Sequence, residues 1–285
     1  MRHPLTFVKC SGAGNDFVLI DRMEGTSNLS MGDLAQALCS RPFGVGADGL
    51  LLIEPSSRGA FLMRYYNADG SYGGMCGNGG RCAAMYAHRA GYAQVSMTFE
   101  ALDYLYQAEV VDGEVRLFMK DPRQFHLHKE LQDLVPGTLR PPVFLDTGAP
   151  HIVFQVSDVR TLDVERFGKA MRNHPAFSPA GTNVDFMQVD NQSSIILRTY
   201  ERGVERETLA CGTGSVASAI VSTLEGEGRP PVSVHVQSGE TVVVDFNGRG
   251  EEITAVSLKG SAHILFKGNA LYDDSSHQIH IASLT

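Results

Sequence analysis

This sequence has no long apolar run and no excess of positive charge. No stretch reaches the roughly 18 consecutive apolar residues of a membrane helix, and the first residues do not lead into an apolar secretion segment. The 32 acidic and 24 basic side chains give a formal charge of -8, so the chain offers no broad cationic surface to a nucleic-acid backbone. We therefore expect a cytoplasmic protein that binds neither a membrane nor a nucleic acid.

Cysteine is also scarce, and its spacing excludes two common uses. The chain has five cysteines, and no two lie two to four residues apart as in most structural zinc sites; they occupy positions 10, 39, 76, 82 and 211. We expect free thiols, no disulfide framework and no metal site. The sequence also lacks a Walker loop and a Gly-X-Gly-X-X-Gly motif placed after a predicted strand, so it shows no cofactor-binding motif.

Short β-rich stretches and glycine are abundant instead. At about 150 residues per domain, the 285 residues allow two domains. The region 127–142 has three prolines, one glycine and no clear periodicity, which favours a connection between domains. We place the first domain at 1–121 plus about 270–285 and the second at 122–269. The predicted strand stretches are 17–20, 49–53, 61–66, 143–145, 152–156, 195–200 and 242–246.

The two halves contain an imperfect repeat. Residues 75–83 (MCGNGGRCA) and 210–218 (ACGTGSVAS) both read Cys-Gly-X-Gly before a segment rich in small apolar residues. Such a segment has no wide polar face, so each should form a buried central helix. A second similarity pairs 14–18 with 181–186. We predict an α/β protein of the α+β type with two copies of one β-rich unit, each wrapped around a buried helix.

The repeated loops suggest acid/base chemistry by thiols. A helix N-terminus stabilises a thiolate, and the glycines let backbone N–H groups approach a bound carboxylate, at 77–78 and at 212–213. Inversion of an α-carbon needs one group to remove a proton from one face and another to return a proton to the opposite face. A held carboxylate would stabilise the carbanion, so no pyridoxal cofactor is required.

Motifs in order from about residue 7 to 268 resemble the diaminopimelate epimerase family. The resemblance implies two similar α/β domains with the active site in the cleft between them, and LL- to meso-diaminopimelate epimerisation without pyridoxal, for lysine and peptidoglycan precursors. It also implies a homodimer. The motifs are KCSGAGNDF at 9–17, GVGADG at 44–49, YNADGS at 66–71, the loop at 75–83, GAPH at 148–151, GTN at 181–183, YERGV at 200–204 and LACGTG at 209–214.

By the same resemblance, Cys76 and Cys211 are the paired acid and base. His151 and Glu201 lie beside the reacting centre, where they bind the α-amino group and tune the thiols. Ala149 departs from the family pattern, which commonly has asparagine there, so a polar contact to the distal end of the substrate is missing. The implied substrate-binding residues are Asn15, Asn67, Gly77, Asn78, Asn183, Glu201, Arg202, Gly212 and Thr213.

Two alternatives remain open. Another cofactor-independent racemase on the same scaffold could act on proline, hydroxyproline or histidine, although Arg202 with Asn67 and Asn183 favours a substrate with a second carboxylate. A thiol redox sensor could use Cys76 and Cys211 as a switchable pair, but this would not explain an amide-rich anion site. The sequence leaves open which of the two thiols rests as the anion.

Overall fold

The chain forms two compact units. One unit is residues 1–117 with the described part of 260–285, and the other is residues 118–259. The structure is a computed structural model and describes residues 1–25, 29–224, 226 and 228–281.

The units change at 117/118 and 259/260, whereas the domain boundaries expected from sequence lie at 121/122 and near 270. The second difference has a clear cause. Residues 263–273 form a strand that pairs antiparallel with the N-terminal strand of the chain, and this places them in the first unit.

Eighteen strands and four α-helices occur in the described residues. Each of the seven predicted strand stretches coincides with a strand to within two residues at either end. The helices α1 to α4 are Met31–Cys39, Gly77–Arg89, Val164–Arg172 and Gly212–Leu224, and short 3-10 helices are Lys129–Leu134, Pro175–Phe177 and Gly250–Glu252. Strands β1 to β18 are Arg2–Gly12, Asn15–Asp21, Gly49–Glu54, Leu62–Asn67, Ser96–Ala101, Tyr104–Val111, Glu114–Phe118, Arg123–Leu127, Val143–Asp146, Pro150–Gln155, Asn183–Asn191, Ser194–Glu201, Arg206–Thr208, Val232–His235, Thr241–Asn247, Thr254–Gly260, His263–Asp273 and Gln278–Ile281.

The first unit is one mixed sheet in the order β7-β6-β5-β4-β3-β2-β1-β17-β18. The pairs β2–β3 and β4–β5 are parallel, and the other neighbours are antiparallel. Helix α1 connects the first parallel pair and α2 the second, as parallel strands require a crossover. The central strand β3 is buried along its whole length because helices cover both faces of the sheet.

The second unit repeats this arrangement in the order β8-β9-β10-β11-β12-β14-β15-β16, with the short β13 also paired to β12. The pairs β10–β11 and β12–β14 are parallel, and α3 and α4 make the crossovers. Strands β9 to β12 thus correspond to β1 to β4, and α3 and α4 have the same lengths as α1 and α2. The predicted duplication of one unit is confirmed.

One of the two sequence similarities is misleading. The Cys-Gly-X-Gly loops begin the equivalent helices α2 and α4. The pairing of 14–18 with 181–186 is wrong, because these residues begin β2 and β11, which are not equivalent strands. The counterpart of β2 is β10, and the counterpart of β11 is β3.

The two Cys-Gly-X-Gly helices are buried, as predicted. Nine of the 13 residues of α2 and nine of the 13 residues of α4 are buried. Helix α2 packs against β1, β2, β3, β4 and β6, and α4 packs against the corresponding strands β9, β10, β11, β12 and β15, so each sheet curves around its helix. No helix within the described residues is both long and apolar enough to cross a membrane.

The segment 127–142 does not connect the two units, contrary to expectation. It lies inside the second unit, where Leu131 of the 3-10 helix and Val135 are buried in a core with Phe154 and Phe186. Leu131 lies within the 3-10 helix and Val135 is the extended residue that ends it, so both are anchored in the core. With only two buried residues, this turn shows no periodicity in the sequence.

Candidate active site

Cys76 caps the N-terminus of α2. Its backbone is extended, its carbonyl accepts the first helical hydrogen bond from Gly80 at 2.7 Å, and its Sγ accepts from the backbone N–H of Gly79 at 3.5 Å. The side chain is half-buried. A thiol in this position lies at the positive end of the helix dipole, where its anion is favoured.

Two asparagines are held against each other at the start of α2. Asn78 donates its amide to the side-chain oxygen of Asn15, and Asn15 donates to Asp48 Oδ2 at 3.0 Å. Arg81 is fully buried and donates to Asn78 Oδ1 at 2.9 Å and to the carbonyl of Ser261 at 3.3 Å. A buried guanidinium therefore supports the first turn of the helix that carries the thiol.

Asn67 lies at the same edge of the first sheet. It is the last residue of β4 and faces Gly49, which in turn faces Phe17, two residues after Asn15. The Asn67 amide donates to Ser71 Oγ at 2.9 Å, within a tight turn. The register thus brings Asn67 and Asn15 to the edge at which α2 begins.

Cys211 occupies the equivalent place in the second unit. It directly precedes Gly212, the first residue of α4, and its carbonyl accepts from both the N–H and the Oγ of Ser215 at 2.9 Å. Cys211 is only 7% exposed, whereas Cys76 is half-buried. The two thiols have the same backbone setting and different access to solvent.

The helix N-terminus does not make Cys211 acidic in this structure. Burial, reinforced by the negative charges of Glu201 and Asp185, raises the pKa of the Cys211 thiol well above its ordinary value. Hydrogen bonds from Thr213 and from the backbone of Gly214 lower the pKa but are outweighed. Cys211 is therefore a neutral thiol at neutral pH, unlike the thiolate that its position alone predicts.

A buried chain of hydrogen bonds leads away from Cys211. Its Sγ lies 3.4 Å from Thr213 Oγ1, which lies 2.9 Å from His151 Nε2. The other ring nitrogen, Nδ1, lies 2.6 Å from Asp185 Oδ2, and Thr199 donates to Asp185 Oδ1 at 2.7 Å. His151 and Asp185 have no exposed surface. His151 thus reaches Cys211 through a hydroxyl group.

Asn183 is fixed at the start of β11. Its amide donates to the carbonyl of Pro150 at 3.0 Å, and its Oδ1 accepts from the backbone N–H of Arg202 at 2.8 Å. The Arg202 guanidinium is partly buried and donates to the carbonyl of Ala180 at 3.2 Å. Glu201 lies near enough to Cys211 for its charge to raise the thiol pKa.

Each unit therefore gathers its predicted residues at one edge of its sheet, where a buried helix begins. Sequence reasoning missed Asp185, Thr199 and Arg81. Asp185 left a weak signal, because a carboxylate directly between the apolar residues Val184 and Phe186 needs a partner when that part of the strand is buried. The first unit holds Asn15, Asn67, Cys76, Gly77 and Asn78, and the second holds His151, Asn183, Glu201, Arg202, Cys211, Gly212 and Thr213.

The two units differ behind their thiols. In the first unit, Phe17 of β2 lies opposite Gly49 of β3, and in the second unit His151 of β10 lies opposite Asn183 of β11. Phe17 therefore corresponds to His151. Leu51 corresponds to Asp185, because each lies two residues further along its strand. The same backbone therefore carries an ionisable His–Asp pair in the second unit and two apolar side chains in the first.

The geometry of each unit suits proton transfer beside a bound carboxylate. A thiol stands at the N-terminus of a helix whose first residues carry glycine, and such a terminus offers N–H groups to an anion. The thiol can accept or donate a proton next to that anion. Among residues 1–25, 29–224, 226 and 228–281, no cluster of three His, Cys, Asp or Glu side chains could hold a metal ion.

Known proteins match this chain over most of its length. The sequence profile of the diaminopimelate epimerase family matches residues 7–125 and 143–265. The diaminopimelate epimerase of Chlorobaculum tepidum is 43% identical over 262 residues, which cover 90% of this chain and 98% of that protein. The diaminopimelate epimerase of Aquifex aeolicus is 40% identical over 276 residues, which cover 93% of this chain and 97% of that protein.

Solved structures of low identity share the fold. A phenazine biosynthesis protein of the PhzF family from Bacillus anthracis superposes with a TM-score of 0.72 at 15% identity, covering 94% of this chain and 99% of that one. A hydroxyproline epimerase from Agrobacterium vitis gives 0.66 at 14% identity, covering 97% and 96%. The repeated units, the paired cysteine loops and these matches lead to one conclusion: the chain belongs to the diaminopimelate epimerase family and is an isomerase.

Proposed function

We propose that this protein epimerises LL-2,6-diaminopimelate to meso-diaminopimelate without a pyridoxal cofactor, with Cys76 and Cys211 as the acid/base pair. The observation that carries the proposal is the matched placement of the two cysteines, each at the start of a buried helix in one of two equivalent units. Membership of the family supplies the substrate.

The mechanism needs one thiolate to remove the α-proton and the other thiol to donate a proton to the opposite face. The α-carboxylate becomes enediolate-like in the carbanion, and backbone N–H groups at 77–78 and 212–213 would stabilise its charge. Because Cys211 is protonated at neutral pH, it would act as the proton donor in the first turnover, and Cys76 would be the base. In the reverse direction the roles exchange.

Substrate recognition would use residues from both units. His151 and Glu201 would act at the α-amino group, and Arg202, with Asn67 and Asn183, would hold the distal carboxylate, since a guanidinium can bind a carboxylate through two hydrogen bonds. Ala149 would leave the distal end with one polar contact fewer. We further propose that the enzyme is a cytoplasmic homodimer that supplies lysine and peptidoglycan precursors.

The test replaces each thiol separately. Cys76→Ala and Cys211→Ala should each abolish epimerisation of LL-diaminopimelate, because a single thiol cannot serve both faces of the α-carbon. The measurement is formation of meso-diaminopimelate together with deuterium incorporation at the α-carbon in heavy water. Cys82→Ala is the control, since Cys82 lies in α2 as a buried structural thiol and its loss should leave turnover intact.

Substantial epimerisation by either alanine variant would disprove the two-thiol mechanism. A panel of wild-type assays on proline, hydroxyproline and histidine decides the substrate. Preference for one of these monocarboxylic amino acids over diaminopimelate would show that the protein is a racemase of another substrate. Absence of α-proton exchange with every substrate would favour the thiol sensor.

A further inference from the structure

Asp185 is a buried carboxylate that is paired with the ring of His151. The carboxylate has no exposed surface and accepts hydrogen bonds on both oxygens, from Thr199 Oγ1 at 2.7 Å and from His151 Nδ1 at 2.6 Å. A buried charge is costly unless it is paired and hydrogen-bonded. Its partner in this structure is the histidine ring.

The hydrogen-bond directions along this chain are constrained. An ionised carboxylate only accepts, so Nδ1 of His151 carries a hydrogen and donates to Asp185. The Thr213 hydroxyl has one hydrogen to share between His151 Nε2 and Cys211 Sγ. When His151 is neutral, Thr213 donates to Nε2 and accepts the S–H of Cys211. When Cys211 is a thiolate, Thr213 donates to sulfur and accepts from Nε2–H of an imidazolium.

The fold does not need a carboxylate at this position. Leu51 is the counterpart of Asp185 in the first unit, where it packs against Gly79 much as Asp185 packs against Gly214. An apolar side chain therefore completes the same backbone. The His–Asp pair stands behind only one of the two cysteine loops, and this indicates a role in the chemistry of that loop.

We propose that Asp185 is a positioning residue that orients His151, so that His151 receives the proton of Cys211 through the Thr213 hydroxyl. The inference rests on the proposed function and deepens it. One proton leaves sulfur for Thr213 Oγ1 while the hydroxyl proton of Thr213 passes to His151 Nε2, so a thiol and a neutral imidazole become a thiolate and an imidazolium. Asp185 stabilises the imidazolium that forms.

This relay matters in the direction in which Cys211 is the base. Cys211 is buried and rests as a thiol, so it needs an internal acceptor for its proton before it can attack an α-hydrogen. Thr213 is the hydroxyl that links the two groups at 3.4 and 2.9 Å. No equivalent relay is required of Cys76, which is half-buried and reaches solvent more readily.

The test is Asp185→Asn in the full-length protein. An amide that keeps its oxygen on Thr199 presents its NH2 group to the histidine, so the His151 proton should move from Nδ1 to Nε2. Nitrogen-15 spectra of the histidine rings measure this directly, with the His151 signals assigned by their loss in His151→Gln. We expect kcat for meso-diaminopimelate to fall on the order of 100-fold or more, while KM changes by no more than about threefold.

Thr199→Val is the matched control. It removes the other hydrogen bond to the same carboxylate and leaves the charge in place, so His151 should keep its Nδ1 proton and kcat should fall less than about tenfold. The positioning role is overturned if His151 carries its proton on Nε2 in the wild type, if Asp185→Asn leaves kcat unchanged, or if both variants lose activity equally with the Nδ1 proton retained. If the wild type fails to turn over diaminopimelate, the proposed function fails, and the nitrogen spectra still decide whether Asp185 orients His151.

Discussion

A single absent side chain makes room for the buried carboxylate behind Cys211. Gly214 is in the first turn of α4, and a Cβ atom there would collide with Asp185 Oδ1. Asp185 cannot move aside freely because Thr199 and His151 hold its two oxygens. The second glycine of this loop is thus required by Asp185 as well as by any bound anion.

Gly214→Ala should therefore damage both stability and activity. We expect a loss of about 1–3 kcal/mol in the free energy of unfolding from overpacking, and a fall in turnover because Asp185 is displaced from His151. Denaturant unfolding and steady-state epimerisation measure the two effects. Gly79→Ala is the control, since its Cβ would meet Cδ2 of Leu51 at 2.9 Å, the end of a side chain that no hydrogen bond fixes.

Equal effects of the two alanine variants on turnover would contradict this explanation.

At the scale of residues, the two thiols, the loop glycines and the asparagines could be named from their motifs, because each motif is a short contiguous string in the sequence. The pairing of Asp185 with His151 could not be predicted, since the two residues are 34 apart and only the parallel pairing of β10 with β11 brings them together.

Elements without regular periodicity were the least predictable. Seven of the eighteen strands could be located because apolar β-branched stretches mark them, and most of the others carry no such run. Helices α1 and α3 were missed although each has an N-cap, Ser30 and Asp163, because nine-residue helices show little more than two turns of pattern. The segment 127–142 was misassigned because three prolines follow its short 3-10 helix, at 136, 141 and 142.

The 3-10 helix in that segment offers a direct test. Leu131→Ala should lower the free energy of unfolding of the second unit by about 2–5 kcal/mol, because Leu131 is fully buried in the core. Leu134→Ala, three residues later in the same helix, should change it by no more than about 0.5 kcal/mol, because Leu134 is 45% exposed. Thermal and denaturant unfolding provide the measurement. If Leu131→Ala leaves the free energy of unfolding unchanged, the segment is a linker and not part of the core.

At the scale of the whole molecule, the first unit is assembled from both ends of the chain. Strand β17 pairs with β1 from Arg2↔Asp273 to Ser11↔His263, the longest strand pairing in the described residues. The repeat itself could be predicted from the two cysteine loops. The return of the chain to the first unit was expected near residue 270, but no motif marks it, and its position at 260 required the observed register of β17 with β1.

A chain truncated after residue 259 should lose the first unit and keep the second. Removal of β17 leaves one edge of β1 without its partner strand, so amides of β1 and β2 should exchange with deuterium rapidly, while those of β10 to β12 stay protected. A chain ending at residue 275 keeps β17 and loses only β18, so β1 should remain protected. Protection of β1 in the shorter chain would show that the N-terminal strands hold together without β17.

The origin of the first unit from both chain ends also sets an order of events during synthesis. A ribosome releases the N-terminal half first, and domains commonly fold as they emerge. Here residues 1–117 emerge first, but their sheet lacks its strand β17 until that strand has been synthesised. Residues 118–259 form a contiguous unit that is complete before β17 emerges. We therefore expect the earlier half of the nascent chain to fold later than the second unit, with the unpaired edge of β1 as the surface that a chaperone would shield until β17 has been synthesised.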